Sequence, residues 1–395
     1  MLQNMFCPCQ LKIFVFRRQS GKKNRNFAFL KGLKKDSILF WENVSCKRCI
    51  GITQIMNKIV KGTLIGLVAL GAVAAGAIYY AIGPNLTNEQ KEYVYVDEDD
   101  NLDSVMNKVE SLAHPKTMLG FKALASHGKY GDRIRTGRYA IHPDMTMLQL
   151  FRDLRNHQQE SIKLVVPTTR TLADFAGRVT KNLMIDSLAL VKALTDENVS
   201  AEFGLTQQTM PSLIIPNTYE VLWDMSVDDF MQRMKKEHDK FWNSERLAKA
   251  KAHNLDPVQV ATLASIVDSE SAYNPEKPRI AGLYLNRLKL NMALQSDPTV
   301  IYAVGDFSIR RVLNVHLNAD SPYNTYKHLG LPPGPIRIPS VAGLEAVLNA
   351  EEHGYLYMCA KEDFSGSHNF ATTFAQHAAN ARKYTQALTR RGIMK

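Results

Sequence analysis

Thr63 to Ile82 (TLIGLVALGAVAAGAIYYAI) is an unbroken apolar run with no charged residue, and it divides the chain into two parts with different surroundings. As an α-helix such a run rises about 30 Å, the thickness of a bilayer's hydrocarbon core. It is too long for an ordinary signal peptide, and no cysteine lies in or just after it to carry a lipid. Tyr79 and Tyr80 fall at one end, where aromatic rings settle at a membrane interface. The pattern predicts one transmembrane helix over residues 63–82.

Charge gives its direction. Residues 1–61 hold 13 Lys+Arg against 2 Asp+Glu, and the remainder holds 36 of each, so the whole net charge of +11 precedes the apolar run. Basic flanks stay in the cytoplasm. The expected placement is therefore a single pass through the inner (cytoplasmic) membrane, N-terminus inside, with residues 84–395 on the extracytoplasmic side. That part is formally neutral, so the basic composition reports topology and gives no support to nucleic-acid binding.

Residues 1–62 read as a basic cytoplasmic tail. Its first 55 residues carry four of the five cysteines, Cys7, Cys9, Cys46 and Cys49, and no amphipathic period. Cys7-x-Cys9 has the wrong spacing for a zinc pair. Met56-Asn57-Lys58 followed by the apolar run looks like a natural start, so residues 1–55 are expected to be a mis-called start or a disordered tail. Cys359 is alone beyond the run, which leaves no internal disulfide framework there.

About 310 residues follow, enough for two domains. Residues 84–167 alternate strand-like and helix-like segments: strands at 93–96, 137–141 and 161–166, helices at 101–112, 116–127 and 146–154. From residue 168 to 395 the chain turns mainly helical, with short strands expected at 213–216 and 355–360. The fold class is α+β: a transmembrane helix, a small mixed module and a helix-rich domain with a small sheet.

The chemistry points to Leu263–Tyr302. Asp256-Pro257 starts a helix, Asp as N-cap and Pro at the first turn. Val260, Leu263, Ala264 and Val267 fall at helical spacing, and Glu270 continues that face. Asp268, about 200° round the helix, points elsewhere. Asn274-Pro275 is expected to close the helix. A carboxyl on an apolar stripe is costly when ionised, which raises its pKa toward that of a proton donor at neutral pH. Downstream, Gln295-Ser296-Asp297-Pro298-Thr299 is a polar turn, Tyr323-Asn324-Thr325-Tyr326 sets rings beside amides, and Gly330–Ile336 is a stiff proline loop. Rings beside amide and hydroxyl groups suit a sugar.

These motifs together resemble the endolytic murein transglycosylases, the YceG-like family. The matching residues are Ile266–Ser271, Ala281–Leu288, Leu294–Tyr302, Tyr323–Tyr326 and Gly330–Ile336. Pro216–Tyr219, Gly366–Phe370 and His377 fit its further elements. Where the family commonly has Glu-Lys-Glu-Thr, this chain has Asp268-Ser269-Glu270-Ser271, so the second acid is kept.

The resemblance implies cleavage of the β-1,4 bond between N-acetylmuramic acid and N-acetylglucosamine without water. Glu270, the catalytic residue, would protonate the leaving oxygen and then take the proton of the muramic C6 hydroxyl as it closes on C1. The product is a 1,6-anhydromuramic end. One acid suffices because the nucleophile belongs to the substrate, unlike glycosidases with a carboxylate pair. Substrate contacts are expected from Gln295, Asp297, Tyr323, Asn324, Tyr326, Asn286, Arg287, Tyr219 and His368. The resemblance further implies that residues 84–167 are a LysM-like, glycan-binding module; the residues by themselves give only a small α+β unit, for which a spacer role stands equally open. It also implies partners in glycan strands and the glycan-polymerising synthases, with nascent strand length as the quantity controlled. A non-catalytic peptidoglycan-binding scaffold is the alternative. A metal-dependent hydrolase using His316, His328, His353, His368 and His377 is disfavoured, because none of these forms a paired helical ligand motif. No metal or other cofactor is expected.

Overall fold

The computed structural model describes residues 35–392. The chain divides into two compact units, with the break after Tyr80. One helix, α1 (Lys35–Ile82), contains the apolar run, and its stretch Gln54–Ile82 is long and apolar enough to cross a membrane. The apolar side chains there, from Ile55 to Tyr80, are exposed. The expected tail over residues 1–34, with Cys7 and Cys9, lies outside the described residues, as do the side chains of Cys46 and Cys49. The backbone from Lys35 to Ile82 is helical.

The second unit holds three apolar cores, each beside one two-stranded antiparallel pair. Two-stranded pairs are marginal alone, so each depends on the helices packed against it.

The first core spans residues 86–154. Strand β1 (Glu92–Val96) pairs with β2 (Gly137–Ile141) in the register Val94↔Tyr139. Alternation turns Val94, Val96, Tyr139 and Ile141 inward, against helices α2 (Leu102–Ala113), α3 (Leu119–His127) and α4 (Met147–Asn156). Asn101 and Thr146 start α2 and α4 with reciprocal capping boxes. The rings of Phe121, Tyr130 and Phe151 meet edge to face.

Strand β3 (Ile162–Val166) pairs with a later strand, β4 (Asn217–Val221), in the register Leu164↔Tyr219. Helices α5 (Leu172–Thr180) and α6 (Ser187–Thr195), then short α7 (Glu197–Glu202), lie between the two strands in sequence. With α8 (Val227–Phe241) they enclose the second core, around Phe175 and Phe230. Of the strand expected at 213–216, Leu213 ends a tight 3₁₀ turn, Met210–Leu213, and residues 214–216 run on without pairing until β4 starts at Asn217. Burial explains the misreading: Leu213, Ile214 and Ile215 are all inside, whatever the backbone does. Asp224 links the first two cores by accepting from Gln159 Nε2 (2.7 Å) and Thr136 Oγ1 (2.9 Å).

The third core surrounds α10 (Pro257–Glu270), which follows α9 (Ser244–Ala252). Every residue from Val260 to Asp268 is buried, so α10 is enclosed on all sides, not striped as expected. Glu270 is its last residue, because Ser271 is extended. Asn274–Glu276 is a separate 3₁₀ turn and not the helix end. Helix α11 (Lys277–Lys289) and α14 (Val341–Leu348) pack on α10. Between them run α12 (Asp297–Val304) and short α13 (Asn314–Leu317). A β5–β6 pair (Tyr357–Ala360 with His368–Ala371) and α15 (Phe374–Arg390) complete this part. The proline loop crosses the backbone of Gln208 at Gly334, where a Cβ would come within 2.1 Å of the Gln208 carbonyl oxygen. Only glycine fits that approach.

Candidate active site

Helix α10 ends with two acids whose fates differ. Asp268 is buried and fully partnered. Lys277 Nζ donates to its Oδ1 at 2.7 Å, and Ser340 donates to it through both backbone N (2.6 Å) and Oγ (2.9 Å). Gly343 on α14 lets the carboxylate lie close; a Cβ there would meet Asp268 Oδ1 at 2.6 Å. Asp268 is a structural ion pair facing away from the site.

Glu270, partly buried, faces a cleft of about 390 Å³. Its Oε1 accepts two hydrogen bonds, from the Tyr284 hydroxyl on α11 at 2.6 Å and from Ser296 Oγ at 2.5 Å. Its Oε2 has no protein partner among the described residues. A neutral carboxyl whose Oε1 takes two donors carries its proton on Oε2. Burial pushes the Glu270 pKa up from the ordinary value, and the charge of Asp297 adds to that. Its position at the negative end of α10 acts in the same direction. The hydroxyls of Ser296 and Tyr284 and the charge of His368 pull the other way without reversing the shift. The result is a carboxyl that holds its proton more tightly than an ordinary glutamate does.

The neighbouring walls come from three places. Gln295 and Asp297 border the cleft from the turn before α12. Gln295 has a left-handed backbone, φ 49°, and donates its N–H to Thr325 O, which turns Ser296 inward onto Glu270. Tyr326 lines the same side and donates its hydroxyl to Asp297 Oδ1 at 2.6 Å. The opposite wall is Tyr357–Ala360 of β5, His368 of β6, and Phe374 and His377 of α15. His368 is clamped by the buried carboxylate of Glu276, which accepts its backbone N–H and lies 2.8 Å from its Nδ1. A carboxylate only accepts, so Nδ1 carries the hydrogen in this contact.

Of the residues expected to contact substrate, Gln295, Asp297, Tyr326, Arg287 and His368 line the cleft with Glu270. Arg287 is nearly buried and donates to the carbonyls of Leu356, Ala293 and Leu294, so it also pins β5 and the turn before α12. Four others are elsewhere. Asn324 is fully buried, and its amide donates to Leu317 and Ala319 carbonyls. Asn286 donates to the carbonyls of His353 and Tyr355. Tyr323 packs on Tyr302, ring centroids 4.7 Å apart, against the third core. Tyr219 belongs to the second core and donates its hydroxyl to Ile215 O at 2.6 Å. None of the four borders the cleft: Asn324, Asn286 and Tyr219 spend their polar groups on backbone carbonyls, and Tyr323 is held by ring packing.

Tyr284, Ser296 and Glu276 were not singled out from the sequence. Tyr284 shares a helix face with Arg287, three residues on, a signal that could have found it. Ser296 depends on the left-handed turn at Gln295 and has no such signal. Cys359 lines the cleft, and burial pushes its thiol pKa up. Among the described residues no group of His, Cys, Asp and Glu is arranged to hold a metal.

The sequence is 36% identical over 161 residues to an endolytic murein transglycosylase of Bacillus subtilis, a match covering 41% of this chain and 44% of that protein. It is 26% identical over 358 residues to one of Streptococcus pneumoniae, covering 81% of this chain and 64% of that protein. The chain thus spans less than two thirds of the length of these curated relatives. A crystal structure of a YceG-like protein from Listeria monocytogenes superposes with a TM-score of 0.49 at 25% identity, covering 73% of this chain and 99% of that one. The model of the YceG-like family matches residues 94–383, most of the chain, and the chain belongs to that family.

Proposed function

We propose that this chain is a membrane-anchored endolytic murein transglycosylase. It cuts the β-1,4 bond between N-acetylmuramic acid and N-acetylglucosamine and leaves 1,6-anhydromuramic ends. The observation that carries the reading is Glu270: a desolvated carboxyl at the foot of a cleft, both donors on one oxygen, the other oxygen open. The names of the curated relatives support the substrate.

Glu270 Oε2 gives its proton to the leaving glycosidic oxygen. The carboxylate then receives the C6-hydroxyl proton as that oxygen closes on C1. Tyr284 and Ser296 hold the carboxyl in place throughout, and their hydrogen bonds strengthen when it ionises. Asp297, occupied by Tyr326, supplies negative charge beside the developing oxocarbenium ion. His368, held by Glu276, bonds a sugar hydroxyl through its other ring nitrogen. Gln295 is an exposed amide for the acetamido groups. Residues 84–167, with their own apolar core, act as a LysM-like glycan-binding module. α1 anchors the chain in the inner membrane with its N-terminus in the cytoplasm, supported by the charge asymmetry about residues 63–82. There glycan-polymerising synthases are its partners, and cutting nascent strands limits their length.

The test is mass analysis of fragments released from peptidoglycan strands by the full-length protein in detergent. Anhydro ends, one water lighter than hydrolysed ends, are expected. Hydrolysed ends alone, or no cutting, would overturn the proposal.

Ser296→Ala removes a hydrogen bond that holds the Glu270 pKa down. The pKa rises further, and the alkaline limb of kcat/KM moves to higher pH. A pH–rate profile checks this; a shift to lower pH would contradict the assigned role.

A further inference from the structure

A second cavity of the same unit, about 420 Å³, opens where the loop after Pro335 meets the segment leading into α5. Arg170 and Arg337 face it, and no carboxylate lines it. Gln207 and Gln208 add amides, and Tyr302 and Phe307 form an aromatic wall, ring centroids 6.3 Å apart. Arg337 is half-buried and underused. Its Nη2 donates to Thr168 Oγ1 at 3.2 Å, while its Nε is buried without a partner. Arg170 is exposed and has no ion pair among the described residues, and its like charge acts on Arg337. The acid whose charge reaches Arg337 is Asp268, already spent on Lys277 and Ser340. Two neighbouring guanidinium groups, one with an orphaned buried donor, are costly unless an anion joins them.

The cavity is tied to the catalytic cleft by one short helix. Asp297, at the start of α12, lines the cleft, and Tyr302, five residues on, lines this cavity. Five residues of helix rise roughly 7.5 Å. Two or three residues of extended peptide cover that distance, at roughly 3.3–3.6 Å each.

We propose that this cavity binds a carboxylate of the short acidic peptide carried by the muramic acid of a glycan strand, an inference that rests on the transglycosylase reading above. The paired arginines take the carboxylate through forked N–H groups, the glutamines take peptide amides, and the aromatic wall packs on the aliphatic part. The site thereby lets the enzyme distinguish peptide-bearing glycan from bare glycan.

The experiment compares kcat/KM for peptide-bearing strands and for strands stripped of peptide by an amidase, using the full-length protein. Arg170→Gln is the leading variant, because an exposed side chain without a partner is dispensable for folding. Arg337→Gln is the second. Loss of a charge-assisted hydrogen bond predicts a fall of about tenfold or more on peptide-bearing strands. No change is expected on stripped strands. Equal effects on both substrates, or no effect of Arg170→Gln on either, overturn the inference while the transglycosylase reading stands. Absence of anhydro ends from the unaltered protein on both substrates defeats that reading instead.

Discussion

Glu270→Gln is expected to lower kcat by about 10³-fold or more on peptidoglycan strands and, at the same time, to raise the melting temperature at pH 8. On the proposed mechanism the first effect follows from losing the group that protonates the leaving oxygen; general acid–base catalysis contributes about 10²–10⁴-fold, and one residue would serve both halves. The second follows from burial. The folded protein raises the Glu270 pKa, so it binds that proton more tightly than the unfolded chain does. The associated stability is fully present below the unfolded carboxyl pKa, roughly 4.3, and is lost as pH rises through the folded value. Above that value the native enzyme holds a desolvated carboxylate, and glutamine relieves it. The amide oxygen of glutamine still accepts from Tyr284 and Ser296. Thermal unfolding at pH 8 and pH 4 should show the advantage of the variant at pH 8 and none at pH 4. Equal melting temperatures at pH 8 would mean that Glu270 is not desolvated, and unchanged turnover would remove it from the chemistry.

Lys277→Met should cost about 3–5 kcal/mol of stability, the usual penalty for leaving one member of a buried ion pair alone. Lys277 and Asp268 are both nearly inaccessible, and among the described residues Asp268 has no other cation bonded to it. Urea unfolding measures the loss. Adding Asp268→Asn to Lys277→Met should recover part of it, because the orphaned charge disappears while Ser340 keeps an acceptor. If the double variant is as unstable as the two single losses added together, the pair is not coupled and the account of α10 is wrong. Activity lost in Lys277→Met should return with stability, since neither residue borders the cleft.

Local signals made much of the fold legible. Asn101, Thr146, Asp256 and Ser340 announce helix starts, and each caps one. The strand at 137–141 reads directly from its residues. What could not be read was pairing and burial. Nothing local tells that Ile162–Val166 will find Asn217–Val221, because about fifty residues separate them. The site divides in the same way. Glu270 could be picked out from its place after an apolar helix, although the helix proved buried all round. Asn324 and Asn286 looked like sugar-binding amides, and a side-chain amide bound to backbone carbonyls has the same sequence signature. Glu276 was missed because its value lies in His368, 92 residues away.

The wall of the cleft formed by Tyr357–Ala360, His368 and His377 lies about 90 or more residues after Glu270 in the chain. A polypeptide made from its N-terminus therefore acquires its acid long before it acquires a groove able to close around a sugar. Until that final portion docks, with Glu276 gripping His368, Glu270 stands at an unfinished surface wetted by solvent, where a carboxyl returns to its ordinary acidity. On the proposed function, competence to cut a glycan strand thus arrives as one of the last events of the protein's own maturation.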